Sequence, residues 1–155
     1  MKRIALPAAL AAFAALTPAH AAEDDIMMRE SDADVPATVE RLVTAIEGAG
    51  ATVFATVDHG AGAQSVGTDI GASQLVIFGN PEAGTPVMEL NRLAGLMLPL
   101  KMLVYEDAEG KVWVAHEDIG DVLDELDGID DDAEALAPLN GALEKLSAAA
   151  AGSPG

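Results

Sequence analysis

The chain lacks cysteine and is poor in basic side chains. It has no Cys among its 155 residues, and eight Lys and Arg stand against 26 Asp and Glu, for a formal net charge of -18. Without thiolates the chain forms no disulfide, no Cys-ligated zinc site, no iron–sulfur cluster and no covalent c-type haem linkage. The negative charge argues against nucleic acid or an anionic membrane surface as a partner, because both require a basic face.

Long hydrophobic runs are also missing. The apolar stretch Ile4–Leu16 has 13 residues, which is too short to cross a hydrocarbon core of roughly 30 Å as a helix. Lys2 and Arg3 precede this stretch, and Ala19-His20-Ala21 follows it as a small-x-small cleavage signature. We therefore interpret residues 1–21 as a signal peptide that is removed on export. This predicts a periplasmic or secreted protein that is not bound to a membrane after cleavage.

Signatures of catalysis are absent from the sequence. It contains no P-loop and no His-Glu-x-x-His motif. Ser65 lies in Ala63-Gln-Ser65-Val-Gly67, which resembles a nucleophile elbow, but Ala63 occupies the position of the first glycine. Because no acid, base and nucleophile occur in a recognisable pattern, we expect a non-catalytic protein.

The apolar patterning predicts an α+β fold. β-branched and apolar runs predict five strands, and apolar residues at spacings of three or four predict the helices between them. Gly79-Asn-Pro begins a predicted loop that extends to residue 86. The expected fold is a single layer of helices on a mostly antiparallel, about five-stranded sheet. The predicted strands cover residues 26–30, 51–57, 73–78, 100–105 and 112–115, and the main helices cover residues 35–48, 87–97 and 133–148.

Acidic residues are concentrated near the C-terminus. Residues 117–134 contain ten acids and no base, interleaved with apolar residues at helical spacing. Carboxylates are typical calcium ligands, but Leu123 occupies the first ligand position of an EF-hand loop that would have its glycine at Gly128. We therefore interpret this segment as a packed helix with a solvated acidic face.

His59 is the side chain that the sequence singles out. It follows the strand predicted over residues 51–57 and the carboxylate of Asp58, and it precedes the small residues Gly60–Ala63. Because these small residues leave space beside the imidazole, His59 suits a flat ligand or a metal ion. The alternative is a loop histidine that is hydrogen-bonded to its neighbour.

His116 is a second candidate metal ligand, since it ends the last predicted strand. Met88, Met97 and Met102 add thioethers, which are soft ligands of the kind that copper binds. Methionines at helix or strand spacing more often belong to the core. A copper site that combines His59, His116 and a thioether is therefore an alternative.

Several strings of residues resemble those of the DUF302 family. They are Phe54-Ala-Thr-Val-Asp58-His59, Leu75-Val-Ile-Phe-Gly79-Asn80-Pro81-x-x-Gly84-Thr85-Pro86-x-Met88, Leu98-Pro99-Leu100-Lys101-x-Leu-Val-Tyr105-Glu106-Asp107 and Gly110-Lys111-Val112-Trp113-Val114. The resemblance covers roughly residues 26–116. It implies a small α+β sandwich that pairs as a homodimer.

The resemblance also implies a cofactor. Some members of the family bind haem b, with the histidine of the Asp-His element as axial ligand and a dimer that encloses the macrocycle. In this chain that role falls on His59. The family often has an aromatic residue where this chain has His116. The basic residues that remain after signal cleavage to pair with haem propionates are Arg29, Arg41, Arg92, Lys101, Lys111 and Lys145.

The expected organisation follows from these observations. Residues 1–21 form the signal peptide, 22–116 a DUF302-like α+β domain, 117–148 an acidic helical extension packed on it, and 149–155 a flexible tail. We expect an exported, non-catalytic binding protein that holds haem b through His59 at a homodimer interface, for electron transfer, sensing or haem handling. The alternatives are a periplasmic copper-binding protein and a cofactor-free dimeric interaction domain.

Overall fold

The computed structural model describes residues 26–152, which form five strands, five α-helices and one 3₁₀ helix. The proposed signal peptide lies outside these described residues. The strands are β1 Ile26–Ser31, β2 Thr52–Asp58, β3 Ser73–Gly79, β4 Leu100–Glu106 and β5 Val112–Glu117. The helices are α1 Val35–Gly48, α2 His59–Ser65, α3 Pro81–Leu90, the 3₁₀ helix Arg92–Leu96, α4 Ile119–Asp124 and α5 Ala137–Ala151.

The strands form one sheet in the order β1-β5-β4-β3-β2, and every neighbouring pair is antiparallel. β4 and β5 are joined by the predicted tight hairpin, in which the Asp107 N–H donates to the carbonyl of Lys111 at 2.8 Å. Gly110 closes this turn with a φ of +79°, a left-handed conformation that glycine adopts without strain. The expected α+β class, with helices on an antiparallel five-stranded sheet, is confirmed.

Strand alternation separates a helix-covered face of the sheet from an opposite face. Because successive side chains of a strand point to opposite sides, Val76 and Phe78 are buried beneath the helices while Leu75 and Ile77, which alternate with them, are only half-buried. The core side chains that meet between the sheet and helices α1 and α5 include Val35, Leu42, Ile46, Val76, Phe78, Met102, Val104, Val114, Leu139, Leu143 and Leu146.

Helix α1 has the boundaries that its sequence predicts. Its N-terminus is capped by Asp34, whose Oδ1 accepts the N–H of Ala37 at 2.9 Å. Pro36 lies in the first turn, where its missing N–H breaks no intrahelical bond. The helix ends at Gly48, one of the two glycines that predict its end.

The segment between β3 and β4 differs from the prediction of a loop over residues 79–86 and a helix over 87–97. Helix α3 begins inside the predicted loop and the 3₁₀ helix follows it. Asn80 starts α3 because its Oδ1 accepts the N–H of Glu82 at 2.9 Å, and Pro81 occupies the first helical turn. Pro86 lies inside α3, although proline is usually avoided in helix interiors. This is why the sequence did not predict a helix here.

The C-terminal segment packs against the rest of the domain. Ile119, Leu123 and Ile129 are buried, although acidic residues surround them in the sequence. Helix α5 extends to Ala151, past the predicted boundary at residue 148, and the Asp32 N–H donates to the carbonyl of Ala151 at 3.2 Å. Small buried side chains such as Ala150 let this last turn approach β1 closely. The expected flexible tail therefore begins no earlier than Gly152, and residues 153–155 lie outside the described part.

Candidate functional site

The sheet face opposite α1 and α5, which we call the open face, is lined by apolar side chains. The strand register aligns one row across all five strands: Val57, Leu75, Leu103, Ala115 and Met28. Met28 is 49% exposed and Val57 39% exposed at the two ends of this row. The neighbouring rows add Ala55, Ile77, Ile26, Tyr105 and Trp113.

Charged side chains on the open face occur in balanced pairs. Lys101 Nζ lies 3.5 Å from Glu117 Oε2, and Lys111 Nζ lies 3.4 Å from Glu30 Oε2. Lys111 Nζ is also 5.8 Å from the centre of the Trp113 ring, within cation–π range. Two cations and two anions cancel here, and the Asp107 carboxylate beside Trp113 adds one negative charge, in a chain whose formal net charge is -18.

Trp113 is held on the open face by the hairpin. Its Nε1–H donates to Oδ2 of Asp107 at 2.7 Å, and Oδ1 of Asp107 accepts the backbone N–H groups of Glu109 and Lys111 at 2.9 Å. The Trp113 hydrogen bond, followed by that from Lys111, lowers the pKa of Asp107, because these donors stabilise the carboxylate.

His59 lies at one end of β2, as the first residue of α2. Its side chain is exposed, and no residue between 26 and 152 hydrogen-bonds to its ring. Asp58 caps α2 instead, since its Oδ1 accepts the N–H of Ala61 at 2.7 Å. Gly60 packs against the chain near Gly71, where a Cβ would come within 2.7 Å of the Gly71 carbonyl oxygen. The imidazole is therefore accessible on a helix that is anchored next to it.

His116 lies elsewhere, on the helix-covered side of β5. Its side chain is 9% exposed and its Nδ1 lies 3.0 Å from the carbonyl oxygen of Glu117. Because a carbonyl only accepts, this contact makes Nδ1 the protonated nitrogen and leaves Nε2 free. β5 and β2 are three strand spacings apart, about 14 Å at usual sheet dimensions. One chain therefore does not bring His59 and His116 together around a single ion.

The methionines proposed as soft ligands are also dispersed. Met102 is fully buried in the core, and Met97 is half-buried against it. Met88 lines a pocket at the other end of β2 from His59. Among residues 26–152, no group of three or more His, Cys, Asp or Glu side chains is arranged to hold a metal ion.

The surroundings of His59 offer an accessible imidazole for haem b, but the surface beside it is polar. The exposed imidazole and the small residues of α2 allow axial coordination. The concave surface beside α2 is polar, however, and includes Asp58, Gln64 and Asp69. Because the faces of a porphyrin require apolar walls, haem at His59 requires an apolar surface that comes from outside this chain. The apolar end of the open face at Val57 lies two residues from His59.

A second concave site lies where β2 and β3 meet helices α3 and α5. We call it the apolar pocket; its volume is about 310 Å³. The sequence pattern did not reveal this pocket, because glycine and proline at residues 79–86 predicted a loop. The residues that line the pocket were nevertheless visible in the sequence, since most of them belong to the strings that resemble the DUF302 family. The lining includes Phe54, Gly79, Gly84, Met88, Gly95, Leu98, Pro99 and Leu139.

An antiparallel five-stranded sheet that helices cover on one face only defines the class of protein as a small two-layer α+β domain. The chain belongs to the DUF302 family, described as a domain of unknown function, whose model matches residues 27–148. The resemblance inferred from the sequence is thereby confirmed. The match continues past His116 and includes most of α5.

A solved structure shares this fold. The crystal structure of an uncharacterised conserved DUF302 protein from Bacillus stearothermophilus superposes with a TM-score of 0.71 at 20% sequence identity. The likeness covers 79% of this chain and 95% of the other. At that identity it shows a shared fold.

Curated relatives match over part of their length. The chain is 44% identical over 89 residues to the fluoride-specific ion channel FluC 1 of Brucella suis and to FluC 1 of Brucella abortus. The match covers 57% of this chain, which spans only about a third of each relative, 35% and 33% respectively. The channel activity in those names belongs to the whole relatives. Between residues 26 and 152 no helix is long and apolar enough to cross a membrane.

Proposed function

We propose that the protein is an exported, non-catalytic binding protein that acts as a homodimer and holds haem b through His59. The observation that carries the proposal is the apolar, charge-balanced open face, which ends at the strand that leads into His59. A second copy supplies the apolar surface that one chain lacks beside this histidine.

The size of the open face supports the dimer. Five strands of six or seven residues give a surface of roughly 20 Å by 20 Å, or about 400 Å² in projection. The apolar rows make up part of this area, and exposed apolar patches of a few hundred Å² on a monomer are often functional surfaces. Exposed side chains at both ends of the central row, Met28 and Val57, leave apolar area for a partner to bury.

The charge of the open face supports a second copy as the partner. Two chains that each carry a large negative charge repel each other wherever acidic surfaces meet. The open face balances Lys101 and Lys111 against Glu117 and Glu30, so only the Asp107 carboxylate at its hairpin end adds to this repulsion. In a two-fold arrangement the same residues of both copies pair with each other, and lysines and glutamates on one face allow such pairing.

His59 is the proposed axial ligand because its imidazole is exposed and is not hydrogen-bonded to any described residue. Of the six candidate cations, Arg29 is bonded to Glu144 and Arg41 to Asp32. Lys101 and Lys111 lie on the open face, and Lys111 neighbours the Trp113 row at the same end of the sheet as His59. Lys111 is paired with Glu30 in the same way, but its position at the His59 end of the open face makes it the cation that we assign to a propionate, which would replace Glu30 as its partner. Haem b at this position supplies one-electron transfer or gas binding.

The copper alternative has less support than haem, because one chain keeps His59 and His116 about 14 Å apart or more. A cofactor-free dimer would use the same open face without His59. Titration with hemin separates the haem-binding protein from the cofactor-free one.

Purified wild-type protein is titrated with hemin and followed by absorption and by sedimentation velocity. We expect a shifted Soret band at one hemin per chain or per dimer, and a dimer at micromolar concentration. His59→Ala should lose the shifted band, while His116→Ala, the matched control, should keep it. Absence of binding by the wild-type protein, or full binding by His59→Ala, would refute the haem site; a monomer with and without hemin would refute the dimer.

Export is tested separately. Expression of the full chain in a Gram-negative host should place the protein in the periplasm, with a new N-terminus at residue 22 or 23 by mass spectrometry. Removal of Lys2 and Arg3 with the signal peptide changes the formal net charge from -18 to -20. An intact N-terminus in the cytoplasm would contradict the proposal.

A further inference from the structure

We propose that the apolar pocket is a second, independent binding site, for a neutral apolar small molecule of two to three rings or an equivalent aliphatic chain. The site goes beyond the proposed haem function, because it lies at the opposite end of β2 from His59. Phe54, which lines the pocket, precedes His59 by five residues, or about 16 Å along an extended strand.

The pocket has the size of a ligand site. Its volume of about 310 Å³ lies at the lower end of the range for small-molecule sites. A dry cavity of about 150 Å³ already accommodates benzene, so this pocket has room for a ligand of roughly twice the volume of benzene. Its walls come from β2, β3, α3 and α5, which are elements of the packed domain rather than one mobile loop.

Glycines keep the pocket open. A Cβ at Gly79 would lie 3.2 Å from a ring carbon of Phe54, and a Cβ at Gly84 would lie 3.4 Å from Leu98 Cδ1. A Cβ at Gly95 would lie 3.5 Å from the Sδ of Met88. Side chains at these three positions would therefore extend into the space between Phe54, Leu98 and Met88.

The lining determines the class of ligand. It contains no charged side chain, and its polar side chains are those of Asn80 and Thr85. Oδ1 of Asn80 already accepts the N–H of Glu82 at 2.9 Å, so the Asn80 Nδ2 group and the Thr85 hydroxyl are the polar side-chain groups that a ligand would meet. An anion would find no cation here in a chain of net charge -18, and a buried charge without a partner is costly. A neutral apolar molecule is therefore the ligand that best matches this lining.

The surface around Gly95 extends this apolar character. Leu93 and Leu96 precede and follow Gly95 in the 3₁₀ helix and are 57% and 76% exposed. The exposed side chains next to Gly95 in the chain are therefore apolar as well.

Two probes with the same skeleton test the proposal. N-phenyl-1-naphthylamine is neutral, and 8-anilinonaphthalene-1-sulfonate carries one negative charge; both fluoresce more strongly in an apolar site. We expect saturable binding of the neutral probe to the wild-type protein at one per chain, and at least tenfold weaker binding of the anionic probe. No saturable binding of the neutral probe, or equal binding of both, would overturn the proposal.

Variants then locate the site. Gly95 is exposed, so Gly95→Leu fills the pocket without a buried clash and should weaken binding of the neutral probe at least tenfold. Gly48→Leu is the matched control, because nothing lies within 4 Å of its Cβ position and it is outside the pocket. If Gly95→Leu does not fold, Phe54→Ala removes an exposed wall and should weaken binding instead. If neither variant weakens binding of the neutral probe, the proposal is overturned. Unchanged binding of the same probe by His59→Ala shows that the pocket is independent of the haem site.

Discussion

Asp107 accepts a hydrogen bond from the indole N–H of Trp113 at 2.7 Å, across the hairpin that joins β4 and β5. This contact holds the single tryptophan of the chain on the open face. It also makes that tryptophan a natural reporter for the state of the hairpin.

The first prediction concerns pH. Hydrogen bonds from Trp113 and Lys111 lower the pKa of Asp107 below the usual aspartate value of about 3.9. Because the folded-state pKa is depressed, the contact contributes fully above pH ~4 and is lost as the pH falls through the lower folded value. Trp113 fluorescence should therefore change in a step whose midpoint lies below pH ~4.

Asp107→Asn should abolish that fluorescence step, because an amide does not titrate. Asp124→Asn is the control and should retain it, since Asp124 lies on α4, away from the hairpin. A step that survives in Asp107→Asn would show that another group causes it.

The second prediction tests the open face. Met28→Glu places a charge at an exposed position of the central row, and in a two-fold dimer the charge appears twice. We expect association to weaken, with the dimer dissociation constant raised at least tenfold as measured by sedimentation equilibrium. Leu96→Glu introduces the same charge at a 76% exposed position on the 3₁₀ helix and should leave the dimer intact. Equal effects of both substitutions would argue against the open face as the interface.

The third prediction concerns the helix that bears His59. Gly60→Ala brings a Cβ within 2.7 Å of the Gly71 carbonyl oxygen, so the backbone must shift. We expect the free energy of unfolding to fall by about 1–3 kcal/mol. Gly62→Ala, in the same helix with nothing within 4 Å of its Cβ, should raise it by about 0.5–1 kcal/mol through helix propensity. Urea melts measure both, and equal effects would contradict the close packing of α2.

The fourth prediction compares two phenylalanines. Phe78 is 1% exposed beneath the helices, and Phe54 is 57% exposed at the apolar pocket. Phe78→Ala should lower the free energy of unfolding by about 3–5 kcal/mol because it leaves a cavity. Phe54→Ala should lower it by about 1 kcal/mol or less, since most of that ring is already in water. Similar losses in thermal or urea denaturation would show that β2 is packed differently.

Local patterns predicted much of the fold. The spacing of Val35, Leu42 and Ile46, with Asp34 before and Gly48 after, defines α1, because helix periodicity and caps act within a few residues. The same holds for the β4–β5 hairpin, whose turn at Asp107 and Gly110 is encoded locally. The segment after β3 was mispredicted because glycine and proline at positions 79–86 usually indicate a loop. Here the caps at Asn80 and Asn91 permit helical turns instead.

The sequence by itself determined the α+β class and the family, and it singled out His59 as a candidate ligand, since these depend on short-range patterns and residue types. Only the tertiary structure decided which of these residues meet. The strand order β1-β5-β4-β3-β2 separates His59 from His116, aligns Val57 with Met28 in one apolar row, and gathers Phe54, Met88 and Leu139 around one pocket. Strand order arises from packing between residues distant in the chain, which no local pattern encodes.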